Sequence, residues 1–516
     1  MRVLIFHGYL LRGTGSNIYN ASLTRSMVRL GHEVHLFCQD RNAAEADFVD
    51  AVGRWTAGEL HVEVLRRPVR CTAYLPDIGE LLPVYVADRY EGFDARPYPL
   101  LTEAEIEGYI AANVAAVRDV VAASAPQVAL ANHLVMGPVI LARALGGVVP
   151  YAVKIHGSAL EYTVRPNLAR FVGYAREGLA AANGVLAGSR HTAKSLWATM
   201  DQPDLPGHTR LLPPGVDVER FRPRSPEEAA ERLGRLADQM DLVTATWGGD
   251  AGAAAALRAI DPRRDRIVSY LGKLIVSKGV DLLVAAWPLV TARVPDARLL
   301  MIGFGTYREA LGDLVRALGA GDLAAARDIA ARGRELEGGA PGELRYLAEF
   351  LDGLRGGLRD DYVAAASAAM SRVHFTGRVE HDDVPDLLSA SEALVVPSTF
   401  PEAFGMVVAE AACCGALPLS AGHSGLAEVT AALAPVLDEG LRPLLSFELG
   451  PGAVEQIADK LIRWLTYDDR AQVTKSLAES ARGQFGWERI AEGVINAALG
   501  RLSELPPVVD ETGLRL

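Results

Sequence analysis

A strand, a loop, an amphipathic helix and a second strand fill the first 38 residues, and the same order returns near residue 267. This repetition constrains the fold more than any other feature. A strand–helix–strand run can only lay its two strands parallel, joined by a right-handed crossover. Arg2-Val-Leu-Ile-Phe-His7 reads as the first strand, and residues 18–30 read as a helix with Leu23, Met27 and Leu30 on one face. Gly31 ends that helix before the strand Glu33-Val-His-Leu-Phe-Cys38. Further strands are expected at 128–131, 151–155, 184–187 and 210–212, with helical patterns between them. In the second instance, strands at 267–271 and 297–302 flank a helix opened by Lys278, with Ser277 as its N-cap and Val280, Leu283, Val284 and Trp287 on one face. Strands at 373–376, 393–397 and 416–419 complete it. The expected fold is therefore α/β, with two Rossmann-like doubly wound domains.

A chain of 516 residues exceeds the usual single domain. We expect an N-terminal domain over 1–222 and a C-terminal domain over 223–485. The remainder, 486–516, is expected to form a helix crossing back to the first domain and a disordered tail from Leu505. The Pro-bearing run Phe221-Arg-Pro-Arg-Ser-Pro226 reads as the hinge. Residues 308–372, rich in Ala, Arg, Leu, Glu and Asp, read as an inserted helical pair. The segment 74–102, rich in Pro, Tyr and Asp, is a further candidate for lining an acceptor site.

A net charge of −12 argues against a broad nucleic-acid-binding face. Positive charge for an anionic ligand must then be local. Only six lysines accompany 46 arginines, and two of the six, Lys273 and Lys278, lie five residues apart in one loop. The four cysteines (Cys38, Cys71, Cys413, Cys414) form no disulfide pattern and read as buried small residues of a reducing compartment. The chain starts on a strand and has no stretch approaching the ~20 apolar residues of a membrane span, so a cytoplasmic location is expected.

The chemistry concentrates in Glu402-Ala-Phe-Gly-Met-Val-Val-Ala-Glu410. The preceding run Ala393-Leu-Val-Val-Pro-Ser398 reads as a buried strand, and a helix follows from about Met406 until Gly415. Phe404 and Gly405 then stand at a helix N-terminus, whose free N–H groups attract phosphate. Two carboxylates separated by seven residues can accept hydrogen bonds from a sugar on one side and a ribose on the other.

With these features the chain resembles the retaining glycosyltransferases of family 4, which have the two-domain GT-B fold. The resemblance includes the N-terminal Gly-rich loop, Lys-Ile-His-Gly-Ser at 154–158, Pro-Pro-Gly-Val-Asp at 213–217 with Phe221, Gly-Lys-Leu and Ser-Lys-Gly within 272–279, and the paired glutamates. It implies transfer of a hexosyl group from a nucleotide-diphosphate sugar to a hydroxyl acceptor. A UDP-sugar is favoured, with GDP- and ADP-sugars as alternatives, and no cofactor or metal is expected. By motif, Lys273 and Lys278 would contact the diphosphate, Glu402 the donor sugar and Glu410 the ribose. Phe404, Gly405, Met406 and Val407 would supply backbone contacts, Arg378 and Val379 would approach the base, and His156 would touch the sugar near its reacting carbon. Lys278, Glu402 and His156 are the expected catalytic residues. Gly13, Thr14 and Gly15 would let a ligand approach the backbone closely.

Two positions depart from the family pattern. Lys273 replaces the more usual arginine, giving a point charge where a planar fork is common. The loop Gly422-His-Ser-Gly-Leu426, before Glu428, stands where a Gly-Gly pair is expected, and His423 and Ser424 add side chains there. Asp360-Asp361 and Asp382-Asp383 read as solvated charges rather than metal ligands. Retention fits a front-face route better than double displacement, because Glu402 is the only nucleophile candidate and is expected on the sugar hydroxyls. Competing readings are a nucleotide-sugar epimerase on the same fold and a non-catalytic nucleotide-sugar-binding protein. Arg66, Arg67 and Arg70 leave room for weak association with a membrane surface. The acceptor and the oligomeric state stay open.

Overall fold

Period-2 and period-3.6 patterns alternate along both halves of the chain. The computed structural model describes residues 1–86, 92–242 and 248–509. Parts of two segments singled out above, 87–91 within 74–102 and 510–516 of the tail, lie outside the described residues. The chain forms two compact units, Met1–Gly215 with Gly486–Leu516, and Val216–Phe485. The break thus falls at 215/216, seven residues ahead of the expected boundary.

The first unit holds a nine-stranded sheet. Its order runs Thr209–Leu211, Gly184–Ala187, Tyr151–Lys154, Val128–Asn132, Arg2–Phe6, Glu33–Phe37, Cys71–Leu75, Ala51–Thr56, Glu59–Val64. All neighbours are parallel except the last pair, a hairpin closed by Ala57 and Gly58 at φ 52° and 83°. Two consecutive positive φ values define a type I′ turn, normally signalled by Asn-Gly or Asp-Gly. Ala-Gly carries no such signal, so the hairpin was not expected. The helix Trp487–Ala498 packs in this unit, with Trp487 edge-on to Tyr19 at 5.3 Å. Gly215 accommodates it, because a Cβ there would lie 2.6 Å from the Trp487 ring.

The tail expectation fails as far as residue 509. Leu211 N–H donates to Pro506 O at 3.0 Å, Arg210 bridges Pro507, and Leu505 and Val508 are buried. The outer strand Thr209–Leu211 presents an open edge, and the tail covers it.

The second unit holds a six-stranded, all-parallel sheet in the order Val373–Gly377, Ala297–Ile302, Arg266–Leu271, Ala393–Val396, Leu417–Ala421, Ser446–Phe447. The insertion is four helices rather than a pair: Arg308–Gly319, Leu323–Arg332, Arg345–Gly353 and Gly356–Ala369. Leu311, Leu314, Leu347 and Tyr362 join the core beneath the sheet, and the Tyr362 hydroxyl donates to Ala285 O at 2.9 Å. The run read as a hinge is packed as well. Phe221 is 1% exposed, and Arg220 and Arg224 pair with Asp382 and Asp386. Asp382 is exposed, as expected of a solvated charge, and also pairs with Arg220; Asp360 and Asp361 are exposed as well.

Candidate active site

In the second unit the polar residues gather where strands Arg266–Leu271 and Ala393–Val396, which pair side by side, reach their carboxyl ends. Open parallel sheets bind ligands at that end. After the first of these strands the chain makes a 3-10 turn, Val276–Lys278, closed by Gly279 at φ 61°. A Cβ on Gly279 would lie 2.1 Å from Pro397 O, so only glycine lets the turn press against the neighbouring strand end. Thr399 N–H donates to Ser277 O at 3.0 Å and clamps the two turns together. Lys278 is thereby brought onto Glu402, and its ammonium donates to Glu402 Oε1. The Ser398 hydroxyl donates to the same oxygen at 2.6 Å. Burial alone would raise the Glu402 carboxyl; the Lys278 ammonium and the Ser398 hydroxyl outweigh it and hold the group below the usual carboxylate range.

Three residues on, Gly405 enters the helix Met406–Cys414 at φ 105°. No side chain caps this helix, and its first turn carries no acidic residue. Its N–H groups and partial positive charge thus stay available to an anion. Phe404 is buried and edge-on to Phe485 at 6.0 Å, which anchors the turn.

The remaining expected residues of this unit are placed differently. Glu410 is 3% exposed, and its Oε1 accepts from His381 Nε2 at 2.8 Å. The His381 ring in turn rests on Phe221 at 5.3 Å. Arg378 is paired with Glu380, and Val379 packs into a small apolar cluster. Lys273 is half-buried, and its carbonyl accepts from the Tyr270 hydroxyl at 2.7 Å.

His156, Gly13, Thr14 and Gly15 belong to the first unit. His156 follows the strand Tyr151–Lys154 and donates from Nε2 to Asn132 Oδ1 at 2.9 Å, which leaves Nδ1 as an acceptor. Burial, Lys154 and His7 together hold its pKa well below 6.5, so the ring is neutral. It packs on Tyr19 at 5.2 Å and on His133 at 4.7 Å. Gly13 has φ 90°, Thr14 leads into the helix Gly15–Arg29 without a capping bond, and a Cβ on Gly15 would meet open space. His7 and Asn17 join through a 3.0 Å hydrogen bond, and Asp40 accepts from Leu11 N–H at 3.0 Å; both hold this loop.

Several residues around these sites were not picked out in the sequence. Ser398 and Ser424 grip Glu402 by its side chain and its backbone, Ser424 Oγ accepting from Glu402 N–H at 2.9 Å. Glu337, from the insertion, accepts from Val276 N–H at 2.8 Å and so caps the turn that carries Lys278. Only His423-Ser424 left a signal, as a departure from glycine. Among the described residues, no group of three or more His, Cys, Asp or Glu side chains could hold a metal ion. None of the described helices is long and apolar enough to cross a membrane.

Two doubly wound parallel sheets with polar residues at their carboxyl ends define the GT-B class of fold. Solved structures agree over nearly the whole chain. Sucrose-phosphate synthase from Thermosynechococcus elongatus superposes with a TM-score of 0.54 at 18% identity, covering 98% of both chains. HepE from Anabaena, in complex with UDP and glucose, gives 0.55 at 16%, covering 98% of this chain and all of that one. The description "Glycosyltransferase Family 4" matches residues 13–220, and "Glycosyl transferases group 1" matches 361–482. The chain belongs to the family 4 glycosyltransferases. Among curated relatives, a GDP-mannose-dependent phosphatidylinositol monomannoside mannosyltransferase of Corynebacterium glutamicum is 24% identical over 294 residues, 55% of this chain and 54% of that protein. The chain spans about half the length of the curated relatives it matches.

Proposed function

We propose that the protein moves a hexosyl group from a nucleotide-diphosphate sugar to a hydroxyl acceptor, with retention of configuration and without a metal ion. The observation that carries this reading is the Lys278–Glu402 pair directly ahead of the uncapped helix Met406–Cys414. A helix end contributes about 0.3–1 kcal/mol toward an anion, up to ~2 when partly buried. A hydrogen bond to a charged group contributes about 1.5–3 kcal/mol. The helix end alone is too weak for a diphosphate; Lys278, with Lys273 in the same loop, supplies the rest. Negative charge grows on the leaving phosphate as the glycosidic bond breaks, so the Lys278 contact tightens in the transition state.

Glu402 holds the sugar hydroxyls, and the amides of Gly405, Met406 and Val407 face the phosphate. Glu410 keeps its second oxygen for the ribose. In the first unit, Nδ1 of neutral His156 suits a sugar hydroxyl, and Gly13–Thr14–Gly15 admits a ligand close to the backbone. Glu402 Oε1 already accepts from Lys278 and Ser398, which weakens it as a nucleophile. This favours a front-face route. The acceptor oxygen bonds to the anomeric carbon on the side from which the phosphate leaves, the C–O bond electrons pass to the phosphate, and a phosphate oxygen takes the acceptor proton.

We favour a UDP-sugar; the corynebacterial relative is GDP-mannose-dependent, and HepE holds UDP and glucose. Four buried free cysteines support a reducing, cytoplasmic setting. The test is release of nucleoside diphosphate from UDP-glucose, GDP-mannose and ADP-glucose, with the product anomer read by NMR. A product of inverted configuration would refute retention, and loss of turnover in EDTA would refute metal independence. Glu402→Gln is expected to keep about 1–10% of turnover. A glycosyl-enzyme trapped at Glu402 would overturn the front-face route.

A further inference from the structure

His423 touches no part of the ion pair, yet both groups that hold Glu402 end on its ring. Nε2 lies 2.8 Å from Ser398 O, and Nδ1 lies 3.1 Å from Ser424 Oγ. A carbonyl oxygen can only accept, so Nε2 carries a proton, and Nδ1 is turned to the Ser424 hydroxyl. Every later donor then follows. The Ser424 hydroxyl, committed to His423, receives the Glu402 amide at 2.9 Å. Ser398, whose carbonyl His423 holds, points its hydroxyl at Glu402 Oε1 at 2.6 Å. Ser424 sits at φ 53°, a conformation that a serine adopts only when neighbours hold it. Gly425 closes the arrangement: its N–H donates to Glu402 O at 3.0 Å, and a Cβ there would lie 2.5 Å from Phe404 Cα.

We propose that His423 is a positioning residue that sets the orientation of the Glu402 carboxylate by bracing Ser398 and Ser424 from opposite sides. The inference rests on the donor-sugar role assigned to Glu402 above. Glycines in place of His423 and Ser424 would offer neither the ring nor the hydroxyl. In this chain the rigidity of the sugar-binding carboxylate comes from side chains.

The test compares His423→Ala with His423→Gln, whose amide can donate to Ser398 and accept from Ser424. With the sugar nucleotide that the wild type turns over, His423→Ala is expected to lower kcat about ten- to a hundredfold. Affinity for UDP and GDP, which lack the sugar, should stay within about twofold, and His423→Gln should recover most of kcat. Unchanged kcat in His423→Ala, or equal loss of nucleotide affinity and kcat in both variants, would overturn the proposal. If the wild type turned over no sugar nucleotide, the functional reading would fall, and exchange of the Glu402 amide hydrogen would decide this one. That exchange is expected to be about tenfold faster in His423→Ala and restored in His423→Gln; identical rates in all three proteins would overturn the positioning role.

Discussion

Both units place polar side chains at the carboxyl ends of parallel strands, but they treat charge in opposite ways. In the first unit three imidazoles crowd together, and Asp40, which acts on His7, does not outweigh its burial. His133 lies 6.1 Å from His7 and 4.7 Å from His156, is 1% exposed, and has no hydrogen-bond partner on either ring nitrogen. Burial drives all three down, His7 to about 4. Lys154 beneath them is lowered to about 7 for the same reason. In the second unit Lys278 and Glu402 pair, and the Ser398 hydroxyl adds a hydrogen bond, so the carboxylate remains ionised. Burial that no opposing charge outweighs removes charge, whereas burial beside such a charge preserves it. The first unit therefore keeps its buried bases neutral, and the second keeps an ion pair.

The strongest way to break this contrast is to remove the cation. Lys278→Ala should lower turnover by about a hundredfold or more while the fold persists. Glu402 would lose its opposing charge, and its carboxyl should move back up. The sign is fixed by that direction: a lowered carboxylate stabilises the fold above its unfolded pKa and loses this as pH falls through its native value. Acid unfolding measured for Lys278→Ala, Glu402→Gln and the double variant reads the coupling. A double variant equal to the sum of the singles would show that the pair contributes nothing.

The imidazoles predict a second test, in which stability is again lost as pH falls. Each stays neutral in the native state and protonates once the chain unfolds, so the unfolded state binds more protons below about pH 6.5. Stability should fall with pH from there toward 4, by about 1.4 kcal/mol per pH unit for each imidazole. His133→Asn, which tolerates the φ of 71° at that position, should remove one such share of the slope. Denaturant unfolding at several pH values measures it, and an unchanged slope would contradict the buried, neutral ring.

The smallest expected effect belongs to Glu337. Glu337→Ala leaves the Val276 N–H without its acceptor, and loosening the Lys278 turn should lower turnover about five- to tenfold. Wild-type turnover in this variant would mean that the insertion leaves the Lys278 turn unaffected.

Much of the fold was legible in the sequence because local signals repeat. Strand candidates at 128–131, 184–187 and 297–302 coincide with strands, since a buried parallel strand is an apolar run of fixed length. The hairpin Ala51–Val64 was missed because Ala-Gly does not announce its turn. The insertion was read as a pair, although glycines at 319 and 321, within 333–342, and at 353 and 356 mark all three junctions between its four helices.

The sequence by itself determined two doubly wound sheets, the Glu402–Glu410 spacing, the scarcity of lysine and the location of Lys278 in a loop. These depend on periodicity and composition within short windows. Tertiary structure alone decided that Lys278 meets Glu402, that Glu410 turns to His381, and that Glu337 reaches the turn from 61 residues away. Such pairings depend on which strands lie side by side and on how closely Gly279 and Gly425 let backbones approach. Separation along the chain carries no record of that proximity.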